Sequence, residues 1–360
     1  VKVGIVGLPG SGKSTLFNAL TRGKAETGHF GGHGQVNRGR VLVPDERLDW
    51  LAEHYHPKKK TPAQVDFLDV PGLSPGSGEK GAAGLIADLR TVDALLEVVR
   101  VFDDPAVPHP DGSVDPARDA ANLETELLLA DLAVVEKRLE RVTSDLGKGV
   151  DRKRLEPERD VLVRVQRALE EGKAARAVGL SAQEEERIKG YALLTLKPKI
   201  LLANVSEDEA AGGASDEPLR AMAEADAVPY LRAAAKIEAE IAEMDPEDAA
   251  EFLDAVGIAR PSRDGVVRAA FDAMALITFL TFGDDECRAW TVERGADAVE
   301  AAGKIHSDIA RGFIRAEIVA FDELRDAGSW NAAKEAGRHR LEGKDYRMQD
   351  GDCVIFRFNV

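Results

Sequence analysis

The run Gly7, Leu8, Pro9, Gly10, Ser11, Gly12, Lys13, Ser14 fits the pattern G-x-x-x-x-G-K-[ST], with Thr15 directly behind it. Such a run suits a polyphosphate. Glycines let successive backbone N–H groups curl around phosphate oxygens with no Cβ in the way, and a following helix adds its positive end. Lys13 would reach the β- and γ-phosphate oxygens, and the Ser14 hydroxyl would ligate Mg²⁺. The context agrees, since an apolar strand is expected over 3–6 and a helix over 14–20. Gly10, Ser11, Gly12, Lys13, Ser14 and Thr15 are therefore the phosphate-binding candidates.

A second element narrows the chemistry. An apolar strand expected over 65–70 ends in Asp69, Val70, Pro71, Gly72 and Leu73. An acid at the carboxyl end of a neighbouring strand can hold a Mg²⁺-bound water, and a glycine three residues later can offer its N–H to a γ-phosphate. Ser14 and Asp69 are the metal candidates. Leu73 stands where many nucleotide switches carry a water-orienting glutamine, and its side chain has no hydrogen-bonding group.

The third element follows a strand expected over 199–203. It reads Asn204, Val205, Ser206, Glu207. Guanine-selective switches carry N-K-x-D here, the aspartate pairing with the ring N–H and exocyclic amine of guanine. Glu207 is one methylene longer and Val205 replaces the lysine, so guanine loses its main advantage and adenine becomes acceptable. Asn204 can still bond a purine edge, which keeps a GTP-binding alternative open. Ala235 and Lys236, after a strand expected over 229–231, are placed to flank the base.

Elements must hold these residues together. Strands and helices alternate over the first hundred residues, with a short strand over 40–43, a helix over 46–53 and a further strand over 94–101, a pattern that favours a parallel sheet with crossover helices. From 121 the period changes: Leu128, Leu132, Val135, Leu139, Val142 and Leu146 form a coiled-coil-like seam, and Leu155, Leu162, Val165 and Leu169 rebuild it on a returning helix. The strand period resumes at 199. A tail from 276 carries strands over 276–282, 287–291, 317–321 and 352–358 and a helix over 296–309, an α+β pattern. The expected division is 1–120 and 199–275 for the α/β domain, 121–198 for the helical hairpin and 276–360 for the tail.

Bulk composition sets limits on function. The chain has 360 residues and a formal charge of −16, against broad nucleic-acid binding. Lys58–Lys60 and Arg152–Arg154 are the densest positive spots and read as solvated loops. Cys287 and Cys353 are too few for a disulfide framework, and a reducing cytoplasm is expected. No apolar run approaches the roughly 20 residues of a membrane span, and no signal peptide is expected. His54 and His56 have no further ligands nearby and read as a solvated helix end; His306 reads as a packing or capping residue.

These motifs, with Arg288-Ala289-Trp290-Thr291, Ala302-Gly303-Lys304-Ile305-His306, Gly312 to Glu317, Gly343-Lys344-Asp345-Tyr346 and Phe356 to Val360, make the chain resemble the Obg-like ATPases of the YchF family along essentially its whole length. The resemblance implies an α/β P-loop NTPase domain split by an α-helical coiled-coil hairpin, and a C-terminal β-grasp domain of the TGS type. It also implies ATP hydrolysis and association with ribosomes; Mg²⁺ is the cofactor that Ser14 and Asp69 call for, and a monomer is expected. His109 lies shortly before Val114-Asp115-Pro116, where bacterial members carry a histidine proposed as a mobile catalytic group, so His109 joins Lys13 as a catalytic candidate. The same comparison places His33 where a metal-completing threonine is usual; imidazole is a poor Mg²⁺ ligand, and Thr27 or water is the alternative. The segment after Leu73, 74–78, also diverges from the family.

Two functions of different class fit. One is a slow Mg²⁺-dependent ATPase acting as a switch, with a GTPase as its variant. The other is a ribosome or RNA–protein binding module in which nucleotide is a sensing ligand, a reading favoured by Leu73 and His33. The tail holds 12 basic against 16 acidic residues, so any RNA contact there should be local.

Overall fold

Short apolar runs alternating with helical stretches fold here as a parallel sheet. The computed structural model describes residues 1–23, 36–73, 78–258 and 261–359. Its contacts divide the chain into two compact units, Val1–Arg40 with Asp66–Val266, and Val41–Val65 with Val267–Val360.

The first seven strands are β1 (Lys2–Val6), β2 (Asn37–Leu42), β3 (Lys59–Thr61), β4 (Gln64–Asp69), β5 (Ala94–Arg100), β6 (Lys199–Asn204) and β7 (Tyr230–Ala233). One sheet has the order β2-β4-β1-β5-β6-β7. Within it β4, β1, β5, β6 and β7 pair in parallel. Central β5 is buried along its whole length, which explains its nearly continuous apolar sequence: helices cover both faces of a parallel sheet. Register aligns Ile5 with Asp69, Arg100 with Asn204, and Asn204 with Ala233. Asp69, Arg100 and Asn204 therefore share the carboxyl edge of the sheet, where ligands of open α/β folds bind.

Helices α1 (Lys13–Thr21), α2 (Glu46–Tyr55), α4 (Pro116–Gly147) and α5 (Arg152–Glu170) follow the expected order, and α3 (Gly78–Arg90), between β4 and β5, adds a helix that the sequence reading did not place. The hairpin starts before residue 121. Asp115 caps α4 by accepting the Arg118 N–H at 3.1 Å, and Pro116 supplies a first helical residue that needs no N–H partner. Leu128 and Val135 of α4 pack with Leu162, Val165 and Leu169 of α5, as the seam requires. Asp131, fully buried, accepts the N–H groups of Leu194 at 2.9 Å and Thr195 at 2.7 Å and pairs with Arg90 at 3.1 Å. This node ties the root of the hairpin to the end of α3.

The second unit is α+β. Its strands β8 (Leu276–Thr281), β9 (Glu286–Glu293), β10 (Phe313–Ala320), β11 (Arg340–Glu342) and β12 (Asp352–Phe358) join β3 in the order β11-β10-β12-β8-β9-β3. Pairing is mixed: β12 runs parallel to β8, while β8–β9 and β10–β12 are antiparallel. The segment with α2 and β3, expected in the amino-terminal domain, packs here instead. Leu48, Leu51 and Ala63 share a core with Leu280, Cys287 and Cys353, and β3 pairs with β9. The helix expected over 296–309 breaks at His306, whose extended backbone (φ −162°) lets Nδ1 accept the Asp308 N–H at 3.1 Å. His306 is thus a cap. Cys287 and Cys353 are free and buried.

Candidate functional site

The phosphate-loop candidates take the backbone their motif demands. Gly10 (φ 76°) and Gly12 (φ 87°) lie in the left-handed region that disfavours side chains. Gly12 offers no side chain to cap α1, so the first-turn amides remain available to an anion. Lys13 is buried, its Nζ donating to the Leu8 carbonyl at 2.9 Å. Burial pulls its ammonium down to about 8, against the opposing charge of Asp69. The Ser11 hydroxyl is buried without a partner. Thr15 is half-buried in the first turn of α1.

Ser14 and Asp69 meet as expected. Ser14 Oγ donates to Asp69 Oδ2 at 2.7 Å, and Asn37 Nδ2 donates to the same oxygen at 3.1 Å. Asp69 Oδ1 is buried with no partner. An orphaned carboxylate oxygen beside a hydroxyl is costly unless something hard and positive uses it, and this oxygen pair suits Mg²⁺. His33 and Thr27 lie outside the described residues, as do residues 74–77. Gly72 rests against the loop, since a Cβ there would approach the Pro9 nitrogen to 2.7 Å. Leu73 donates its N–H to the Gly7 carbonyl at 3.2 Å and buries its side chain beside Leu8, Leu68 and Leu123. It points into the core.

Asn204 is a clamp. Its Nδ2 donates to the Ser11 carbonyl at 2.9 Å, and its Oδ1 accepts the Ala235 N–H at 3.1 Å. Both ends of the amide therefore serve backbone, fixing the loop at Ser11 to the chain at Ala235. Val205 is buried and donates its N–H to the Ala233 carbonyl at 2.9 Å. Glu207 is exposed at the head of a single 3₁₀ turn, and Lys236 is exposed one residue after the buried Ala235. A cavity of about 440 Å³ lies behind Ala233 and Ala234, with the Glu238 carboxyl in its wall. Burial raises that carboxyl, while hydrogen bonds from Ser262 act against the rise.

His109 lies beside the phosphate loop, around a cavity of about 10 Å³ shared with Leu8, Pro9 and Ser11. Only 5% of its side chain is exposed. The Asp111 N–H donates to Nδ1 at 3.1 Å, so Nδ1 carries a lone pair and the ring proton sits on Nε2, which donates to Asp119 Oδ2 at 2.8 Å. Asp119 also receives Arg118 at 2.8 Å. Two residues here were not anticipated from sequence: Asp119, which holds the imidazole, and Arg100, which holds its loop. A cation ending the largely apolar β5, whose other charge is Glu97, was the available signal for Arg100.

The positive spots prove largely paired. Lys58 meets Asp285 at 2.8 Å, Lys59 meets Glu286 at 3.3 Å and Lys60 meets Asp49. Arg152 meets Glu156 at 3.4 Å and Arg154 meets Asp151 at 2.9 Å. His54 stacks on Trp50 at 4.8 Å. Among the described residues no helix is long and apolar enough to cross a membrane.

Comparison with known proteins agrees with this geometry. Residues 2–137 match a family described as 50S ribosome-binding GTPase, and residues 276–359 match the C-terminal family of YchF-type GTPases, described as a protein of unknown function (DUF933). The chain is 43% identical to the ribosome-binding ATPase YchF of Bacillus subtilis, covering 99% of each. It is 36% identical to Obg-like ATPase 1 of Oryza sativa subsp. japonica, over 100% of this chain and 92% of that one. Its fold superposes on the YchF GTPase of Schizosaccharomyces pombe with a TM-score of 0.85 at 32% identity, covering 99% of this chain and 97% of the other.

Proposed function

The chain belongs to the YchF family of Obg-like ATPases, and on that premise we propose that it is a ribosome-associated, Mg²⁺-dependent ATPase of the cytoplasm whose nucleotide state governs partner binding. One observation carries the reading. The buried Lys13, the Ser14–Asp69 pair and the Asn204 clamp converge on one edge of the sheet.

Each residue then has a task. The amides of Gly10 to Thr15 cradle the β-phosphate, and Lys13 exchanges the Leu8 carbonyl for β- and γ-phosphate oxygens. Ser14 and Asp69 would hold Mg²⁺, which would supply neutralisation of the polyphosphate charge. The Gly72 N–H faces the γ-phosphate. Asn204 fixes Ser11 and Ala235, while Val205, Glu207, Ala235 and Lys236 frame the purine. The longer Glu207 side chain cannot reproduce the bidentate contact that selects guanine, so adenine is accepted.

Hydrolysis falls to His109, because Leu73 is buried. Asp119 keeps the ring proton on Nε2, and Nδ1 becomes the base once the Asp111 N–H lets go. Nδ1 takes a proton from water as the water oxygen bonds to the γ-phosphorus and the bond to the β–γ bridging oxygen breaks. ADP and phosphate leave. Such a base contributes about 10²–10⁴-fold, and its engagement by Asp111 in this arrangement makes turnover slow.

The hairpin α4–α5 and the C-terminal α+β unit, the latter of the TGS-like β-grasp type, present the partner surface. The experiment is ATP turnover and ATP affinity in His109→Ala. Lost turnover with retained affinity supports the assignment; unchanged turnover with unchanged affinity removes it. The buried Leu73 favours a second reading, in which nucleotide is only sensed. Nucleotide-independent pelleting with ribosomes, together with no measurable hydrolysis, would select that reading.

A further inference from the structure

We propose that Arg100 is a positioning residue for hydrolysis: it fastens the loop carrying His109 onto the phosphate loop. The inference rests on the reading of His109 as the base. Arg100 closes β5, a strand otherwise made of Ala, Leu, Glu and Val, and it is buried to 3% exposure. A buried guanidinium normally faces a carboxylate, yet none of the ion pairs among the described residues includes Arg100; the nearby Asp119 is taken by His109 and Arg118.

Its donors go to backbone instead. Nε donates to the Phe102 carbonyl at 3.1 Å, one terminal nitrogen to Val107 at 2.8 Å, and the other to Asp104 at 3.3 Å. The guanidinium plane lies over the Phe102 ring, 4.7 Å from its centroid. One side chain thus gathers three carbonyls of a six-residue stretch, a fork that lysine, a point charge, cannot reproduce. The root of the same stretch is pinned to the base loop, because the Asn204 carbonyl accepts the N–H groups of Val101 at 2.9 Å and Phe102 at 3.2 Å.

The stretch is pinned where it matters. It ends at Val107, two residues before His109. A Cβ built on Gly10 would lie 3.3 Å from Val107 Cγ1, 3.7 Å from the Arg100 guanidinium and 3.9 Å from the Pro108 carbonyl. The loop therefore rests on the bare face of Gly10, and Arg100 and His109 line the same small cavity. Freeing the three carbonyls would let the imidazole drift from the place where a γ-phosphate must sit, without touching any phosphate contact. Geometry of this kind governs the chemical step more than binding.

Arg100→Lys, His109→Ala and the double variant are compared in the full-length protein. The readouts are kcat and KM for ATP, and the rate of His109 modification by diethyl pyrocarbonate read by peptide mass spectrometry. In Arg100→Lys, kcat falls roughly tenfold to a hundredfold, as an ~1 Å misplacement costs, with KM held within about twofold. His109, shielded in the parent, is modified several-fold faster. In the His109→Ala background the Arg100→Lys change costs no further turnover. Should Arg100→Lys fail to fold, Val107→Gly loosens the backbone at the carbonyl that Arg100 holds at 2.8 Å and must show the same three effects.

Unchanged His109 labelling overturns the inference. So does an equal loss of kcat in the His109→Ala background, which would mean that Arg100 acts on nucleotide or fold directly. Failure of the underlying reading looks different: His109→Ala itself then turns over ATP normally, and the positioning role falls with it.

Discussion

Asn204 and Ser11, 193 positions apart in sequence, are joined by a 2.9 Å hydrogen bond from side-chain amide to backbone carbonyl. The other end of the same amide holds the Ala235 N–H. The loop at Ser11 and the chain at Ala235 are therefore joined through one side chain, and on the proposed function Asn204 acts on nucleotide chiefly by keeping them together.

Asn204→Ala leaves a buried carbonyl and a buried N–H without partners. The expected cost is about 1–3 kcal/mol of stability, read by urea denaturation, with ATP affinity weakened by roughly tenfold or more. An Asn204→Ala protein with parental stability and affinity would show that Asn204 is not a clamp.

Lys13 links nucleotide binding to pH. Its ammonium is held down to about 8 by burial, and a triphosphate restores the cation. Binding must then take up protons, about half a proton at pH 8, and affinity must fall as pH rises above about 8. Calorimetry of ATP binding in buffers of different ionisation enthalpy measures the uptake. Proton release, or none across pH 7 to 9, contradicts the environment assigned to Lys13.

Gly12→Ala tests the cradle by strain and sterics together. Its φ of 87° disfavours any side chain, and the new methyl would run into the Asn204 amide. The expected loss is about 1–3 kcal/mol of stability together with nucleotide binding. Retained ATP binding would show that the loop adopts another backbone when loaded.

Much of the site was legible because it is local. A phosphate loop, an acid ending an apolar strand and an asparagine ending another each announce themselves within a few residues, and the parallel register does the rest. What was not legible depends on tertiary choice. The helix α2 and strand β3 carry the same patterning whichever core takes them, and only the packing of Leu48, Leu51 and Ala63 with Leu280 and Cys353 decides. Asp119 lies one turn into α4, where an acid also reads as ordinary helix-dipole complement. Its part in holding His109 depends on how the loop over 102–114 folds back.

The hairpin root gives a prediction independent of nucleotide. Asp131 is wholly buried and gathers two backbone amides, the Thr195 hydroxyl and Arg90. Asp131→Ala strands these donors, and the expected destabilisation is about 3–5 kcal/mol in chemical denaturation. A shift below about 1 kcal/mol would mean that water replaces the carboxylate at low cost.

Competition of ATP and GTP for the purified protein, run beside Glu207→Asp and Lys13→Ala, decides whether a purine pocket no longer built for guanine lies behind the glycine loop. The expected result is a preference for ATP in the parent, a shift toward GTP when the shorter acid returns, and loss of both when Lys13 is removed. Clear guanine preference in the parent, or binding indifferent to Lys13, would contradict it.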